Sequence, residues 1–196
     1  MASDPKADLH RYLRTARSAV LWKLDGLSEY DARRPLTPTG TNLLGLVKHL
    51  ATVEQEYFGA CMGRKFPEVL PWVAAIEDGS DLNADMFATA DESRSDIVSL
   101  YARATEFADS VISELPLDAP GVVPWWPEDR KYVTLQLLLV HMIAETNRHA
   151  GHADILREGL DGLAGLREGG SNLPEQDWAG YRERVETAAR EAAERA

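Results

Sequence analysis

One cysteine, Cys61, stands in 196 residues, so the chain can form no internal disulfide and its composition suits a reducing compartment. Basic residues are outnumbered: 21 Lys and Arg face 32 Asp and Glu, a formal net charge of −11. That balance leaves no basic stripe for a nucleic-acid backbone and is repelled by anionic membrane surfaces. Long apolar runs are missing as well. The longest, residues 135–144, is interrupted by Gln136 and His141 and is too short to cross a bilayer. No export signal, with its basic start, apolar run and small-residue cleavage site, opens the chain. The expectation is a cytoplasmic protein that acts on small molecules, without nucleic-acid or membrane partners. Strand-like alternation of useful length is also lacking, and no internal repeat stands out.

What the sequence does contain is helical periodicity. Asp4-Pro5 reads as a helix start, a capping carboxylate followed by proline at the first helical position. Leu9, Leu13, Ala16, Val20, Leu24 and Leu27 then recur at three- and four-residue steps, with Gly26 where the helix should end. Residues 31–41 hold two prolines and a glycine and read as a connector. Thr41 or Asn42 caps a second helix with Leu43, Leu46, Val47, Leu50, Val53, Tyr57 and Phe58 inward. The weakly periodic 63–90 stretch reads as a long loop with room for one short helix, the kind of segment that often serves as a functional cover.

Asp91 or Ser93 opens a third helix, with Ile97, Leu100, Tyr101, Ala104, Phe107, Ala108, Val111 and Ile112 on its inner face. Residues 115–127, with four prolines and the pair Trp125-Trp126, cannot be a regular helix. The fourth helix covers roughly 133–158, and its first half is apolar nearly all round, which marks it as the most buried element. Glycines break the chain from 159 to 170, and Pro174 begins a last helix with Trp178, Tyr181, Val185 and Ala189 on one side. The pattern predicts an all-α four-helix bundle with a long crossover connection and an additional C-terminal helix. The length favours one domain over 1–196, its core at about 5–162 and its helical extension at about 173–196.

The chemistry-bearing residues cluster. Of the five histidines, His141, His149 and His152 lie in the fourth helix together with Glu145. At about 100° per residue these four side chains fall within roughly 80° of arc. Polar groups on a core-facing stripe cost free energy unless partnered, and a divalent cation is one partner for all of them. Glu145 and His149, four apart, can converge on one ion. A third ligand must come from a facing helix, where His49 is the only histidine. A His-His-Glu set leaves one position open, the pattern of a catalytic zinc site. Nickel, iron or manganese also suit imidazole and carboxylate. The alternative is a buried polar network without metal.

Around that set, each residue carries two readings. His141 reads as a core histidine hydrogen-bonded to a neighbour, and His10 as a surface residue. His152 is either a catalytic, substrate-facing group or part of the helix surface. Glu54 could orient a ligand's second nitrogen, or simply pair with a surface charge. Tyr57, Trp125 and Trp126 could wall a cleft or serve packing. Cys61, about 18 Å along a helix from His49, is too far to share a ligand site and reads as a buried small residue.

Gly26-Leu27-Ser28, Asn42-Leu-Leu-Gly-Leu-Val-Lys-His49-Leu50 and Glu145-Thr-Asn-Arg-His149-Ala-Gly-His152-Ala-Asp-Ile-Leu-Arg-Glu158 resemble the DinB-like (YfiT-like) superfamily. The resemblance covers roughly residues 5–162. It is closest to the branch of the metal-binding domain of mycothiol-dependent maleylpyruvate isomerase and of thiol S-transferases. It implies a four-helix bundle with a long crossover, a metal held by His49, Glu145 and His149, and a low-molecular-weight thiol such as mycothiol or bacillithiol as cosubstrate. Arg148 and Arg157 would then be placed to hold an anionic group of that thiol, or to form helix-surface salt bridges.

Three functions follow as expectations. The first is a metal-dependent thiol S-transferase. The second is a hydrolase with metal-activated water and His152 or Glu54 as base. The third is a non-catalytic metal-binding or stress-response module, possible as a homodimer, with His152 as a fourth ligand.

Overall fold

Each long helix begins on a side chain that accepts an otherwise unpaired backbone N–H. In the computed structural model, which describes residues 4–171 and 173–195, Asp4 caps α1 (Pro5–Leu21) by accepting from Lys6 N at 3.0 Å. A single 3-10 turn, Trp22–Leu24, follows, and Gly26 at φ 73° reverses the chain. The connector contains a one-turn helix, α2 (Glu29–Arg33), started by Ser28. Asn42 starts α3 (Leu43–Phe58), accepting from Gly45 N at 2.7 Å. The crossover carries the short α4 (Val73–Glu77). Ser93 caps α5 (Arg94–Glu114). Thr134 starts α6 (Leu135–Asp161), which ends on Gly162 at φ 80°, a left-handed cap that only glycine adopts without strain. Asp177 caps α7 (Trp178–Ala193).

Several details depart from expectation: the last helix begins at Trp178 rather than at Pro174, for one, because Asp177 supplies its cap. The proline-rich stretch before α6 forms a two-stranded antiparallel ribbon, β1 (Pro120–Val122) with β2 (Tyr132–Thr134), Gly121 facing Val133. Three residues per strand are too few for alternation to show in a sequence. The most buried long helix is α3, not α6. Twelve of the 16 residues of α3 are buried, against nine of 27 in α6, where Leu137 and Val140 face outward. The reason is position: α3 packs against α5, α6 and α2, whereas α6 packs against α1 and α3 and leaves Leu137, Val140 and Ile155 exposed.

The bundle is all-α, built from α1, α3, α5 and α6. α3 lies alongside α5 and α1 alongside α6. Arg157 near the end of α6 donates to Lys23 O just past the end of α1, so those two run parallel. Lys6 at the start of α1 donates to Ser113 O and Leu115 O at the end of α5, so those two run antiparallel. α3 and α6 are also antiparallel, because Tyr57 late in α3 meets His141 early in α6 while His49 meets Glu145 further on. This arrangement makes α3 and α5 parallel neighbours and requires the long crossover between them.

The core divides into two apolar clusters. One surrounds Leu43, Leu46, Leu50, Leu100 and Tyr101, the other Leu13, Phe58, Ile112, Leu138 and Leu139. At the level between them Arg17 makes a two-pronged pair with Glu54, Nε–Oε1 2.6 Å and Nη2–Oε2 2.7 Å, and reaches Asp109 at 2.5 Å. His10, expected at the surface, is half-buried and also pairs with Asp109, at 2.7 Å. Burial works against the charge on Arg17, but the two carboxylates more than offset it, and its pKa lies above the ordinary guanidinium value. No helix among the described residues is long and apolar enough to cross a membrane.

Candidate metal centre

Three donors converge where α3 faces α6. His149 Nε2 lies 2.9 Å from Glu145 Oε1, and His49 Nε2 lies 3.6 Å from the same oxygen. The imidazoles meet edge-on, ring centres 5.0 Å apart. One ligand atom from each of the three residues lies within 4.8 Å of the others. The four-residue step along α6 brings Glu145 and His149 together, and antiparallel packing brings in His49. His149 is buried, while His49 and Glu145 are partly exposed, so the cluster sits at the floor of an opening rather than inside the core.

The nitrogens that point away from Glu145 have partners too. His49 Nδ1 is 2.7 Å from Asp85 Oδ2, and His149 Nδ1 faces His152 Nδ1 at 3.4 Å. Asp85 is buried, and it arrives from the crossover. Burial opposes a charge on His49, but hydrogen bonds to Asp85 and Glu145 outweigh it and raise its pKa to about 9. Hydrogen bonds from His149 and His49 hold the Glu145 carboxyl well below its ordinary range. His49 Nε2 is thus a strongly basic nitrogen for which a proton and a cation compete.

The sequence did not single out Asp85, one acid among several in a weakly patterned segment. A signal for it does exist on α3. Asn42, Gly45 and Lys48 recur at three-residue steps, and a glycine and a lysine on a buried helix face require neighbouring backbone.

The other anticipated residues divide between the cleft and the core. Glu54 does not reach the three donors: it is fully buried against Arg17, and it is Asp85 that contacts the outer nitrogen of His49. Tyr57, Trp125, Trp126 and His141 form an aromatic wall one turn along α6 from Glu145. Tyr57 lies 4.7 Å from His141 and 5.5 Å from Trp125, and Trp126 lies 4.9 Å from His141. Trp126 Nε1 donates to Tyr57 Oη at 3.3 Å. His141 is therefore not a hydrogen-bonded core histidine: it is partly exposed, meets Tyr57 at a tilt and Trp126 edge-on, and its pKa is lowered by burial. On the opposite side of the donors, His152 lines a cavity of about 250 Å³ with Thr37, Thr41, Ile155 and Leu156. Burial and the neighbouring His149 and Arg148 lower the pKa of His152. Arg148 is exposed and close enough to His152 to act on its charge. Arg157, by contrast, is buried and committed to Asp161 and Lys23 O.

Two titratable residues complete the surroundings. Glu56, two turns beyond His49 on the same face of α3, is partly buried and has no hydrogen bond or ion pair among the described residues. Burial, aided by Asp85 and Glu77, raises its pKa to about 7. Cys61 is buried, and its thiol is pushed up to about 12 by that burial. The chain's own thiol is thus held protonated and out of solvent at neutral pH.

The donor set fits a divalent cation. Bonds of about 2.1 Å in a tetrahedral arrangement place donors roughly 3.4 Å apart. The observed spacing lies within a side-chain rotation of that, and each metal-facing imidazole nitrogen is backed by a partner on the other, as metal-binding histidines require. A four-helix bundle with a long crossover and two imidazoles and a carboxylate meeting between its second and last long helices defines a DinB-like bundle. Within that class the sequence profile of the family described as Mycothiol-S-transferase matches residues 8–162. The chain belongs to that family. No curated protein matches it.

Proposed function

We propose that the protein is a zinc-dependent S-transferase that uses mycothiol, or a closely similar low-molecular-weight thiol, to modify a small electrophile in a reducing cytoplasm. The observation that carries this reading is the convergence of His49, Glu145 and His149 from two helices, with His49 and Glu145 still partly exposed to solvent, in a chain of the mycothiol S-transferase family. Buried Cys61 supports it: any thiol chemistry here needs a sulfur from outside the chain.

In this reading His49 Nε2, a Glu145 oxygen and His149 Nε2 hold the cation. The ion supplies positive charge that favours the thiolate of the cosubstrate over its neutral form. The thiol proton leaves to water, and Glu56, on the same face of α3 and about 10 Å from His49 along the helix, can take it up from there near neutrality. Sulfur then attacks the electrophilic carbon, a C–S bond forms, and the leaving group departs with the bonding electrons. Tyr57, Trp125, Trp126 and His141 offer an apolar wall for the electrophile. Arg148 beside His152 offers a cation for an anionic group of either reactant.

The hydrolytic alternative relied on His152 or Glu54 as base. Glu54 is locked by Arg17, and His152 faces the outer nitrogen of His149, which weighs against it. The test is anaerobic turnover of a haloalkyl electrophile by zinc-loaded protein with mycothiol, glutathione, cysteine or no thiol. Conversion that requires a thiol and falls to background in His149→Ala is expected. Unchanged conversion in that variant refutes the mechanism, and product formed without thiol favours hydrolysis.

A further inference from the structure

The crossover between α3 and α5 is anchored by backbone contacts at one place on α3. Asn42 Nδ2 donates to Met86 O at 3.1 Å. One turn later comes Gly45, where a β-carbon would lie 1.8 Å from Met86 O, so only a residue without a side chain allows this approach. Next, Lys48 is buried, and its ammonium donates to Ala84 O at 3.1 Å and Phe87 O at 3.0 Å and pairs with Glu92 at 2.9 Å. It also lies 4.0 Å from the centre of the Trp72 ring. Burying a lysine is costly unless its charge is matched. Here its hydrogens are spent on fixing segment 84–92.

Between those anchors the segment turns a single acidic side chain inward. Asp85 is buried, with Oδ2 at 2.7 Å from His49 Nδ1, and His49 is the residue directly after Lys48. With Nδ1–H donating to Asp85, Nε2 is the ring nitrogen left for a cation beside Glu145 and His149. α3 alone does not fix its own ligand: the ring needs the crossover at its back.

We propose that the docked 84–92 segment is a positioning element of the metal centre: Asp85 holds His49 by its outer nitrogen, and Asn42, Gly45 and Lys48 hold Asp85 there. The proposal rests on the metal reading above and not on the thiol chemistry. It makes Asp85 a positioning residue whose loss lowers cation affinity without removing a donor.

The experiment is zinc binding to the full-length, chelator-stripped protein, by competition with a fluorescent zinc chelator and with no thiol or electrophile present. Asp85→Ala is expected to weaken zinc binding about 10–100-fold. Asp85→Asn, which keeps an acceptor but loses the charge, should fall between that and wild type. Gly45→Ala, with every ligand and Asp85 intact, should weaken zinc as well, because the new methyl group displaces Met86. Should Gly45→Ala fail to fold by circular dichroism, Lys48→Met tests the same anchor. In the zinc-loaded wild type the Nδ1 proton of His49 should be protected from solvent exchange and resolved by NMR, and in Asp85→Ala it should exchange rapidly. Wild-type zinc affinity in Asp85→Ala overturns the proposal. Wild-type affinity in both anchor variants overturns the part played by the dock. Because no thiol enters the assay, these outcomes are independent of whether the transfer reaction occurs.

Discussion

Oε1 of Glu145 stands 3.6 Å from Nε2 of His49, so α6 delivers a carboxylate to the imidazole edge that α3 presents. If a cation shares that gap, purified protein should carry about one zinc per chain by elemental analysis, and Glu145→Ala or His149→Ala should carry far less. Zinc at 100 times its Kd should add about 2.7 kcal/mol of stability. For a chain of this size that raises Tm by roughly 5–10 °C. A melting curve indifferent to both chelator and added zinc would mean that the three side chains form only an ion-paired network.

Glu56 sets a pH dependence of known sign. Its pKa rises from 4.5 in a solvated carboxyl to about 7 in the folded protein. The group therefore contributes stability that is fully present below pH 4.5 and lost as pH climbs through 7. In chelator-stripped protein, Glu56→Gln should be more stable than wild type at pH 8 and indistinguishable from it at pH 4 in urea titrations. In the zinc-loaded enzyme the same change should abolish the limb of the rate profile near pH 7 and leave zinc content intact.

Arg17 and Glu54 predict a large and asymmetric cost. Arg17→Met leaves a fully buried carboxylate with no cation and should destabilise the protein by about 3–5 kcal/mol. Adding Glu54→Leu removes the stranded charge and should recover much of that loss, although Asp109 keeps only His10 as a partner. Urea midpoints of wild type, both single variants and the double variant measure this. A double variant no better than Arg17→Met would show that the pair matters for shape rather than charge.

Cys61 should resist chemistry. Native protein is expected to take up iodoacetamide only under unfolding conditions, and Cys61→Ala should keep thiol-dependent conversion within about twofold of wild type. Loss of turnover in that variant would place the chain's own sulfur in the reaction.

Much of this could be read from the sequence because helices announce themselves by local rules. The four-residue step from Glu145 to His149 fixes their common face whatever surrounds them, and caps such as Asp4 and Ser93 act within three residues. His49 was legible by elimination, since a third ligand had to come from another helix. Asp85 was not: its role depends on where a long irregular segment lands, and nothing near it in sequence records that. Glu54 and Glu56 show the same limit at finer scale. Two residues apart on one helix, one meets Arg17 in the core and the other lies partly buried near Asp85 and Glu77, and only the neighbours of α3 decide which.

The two-pronged contact between Arg17 and Glu54 has a further consequence for alignment. Apolar side chains tolerate sliding, because one leucine replaces another as a helix moves lengthwise. A forked guanidinium on a carboxylate does not. If α3 slipped by one turn, about 5.4 Å, Glu54 would leave Arg17 and His49 would leave Glu145 in the same movement. The charged layer thus acts as a vernier for the bundle, fixing the height at which the imidazole meets the carboxylate.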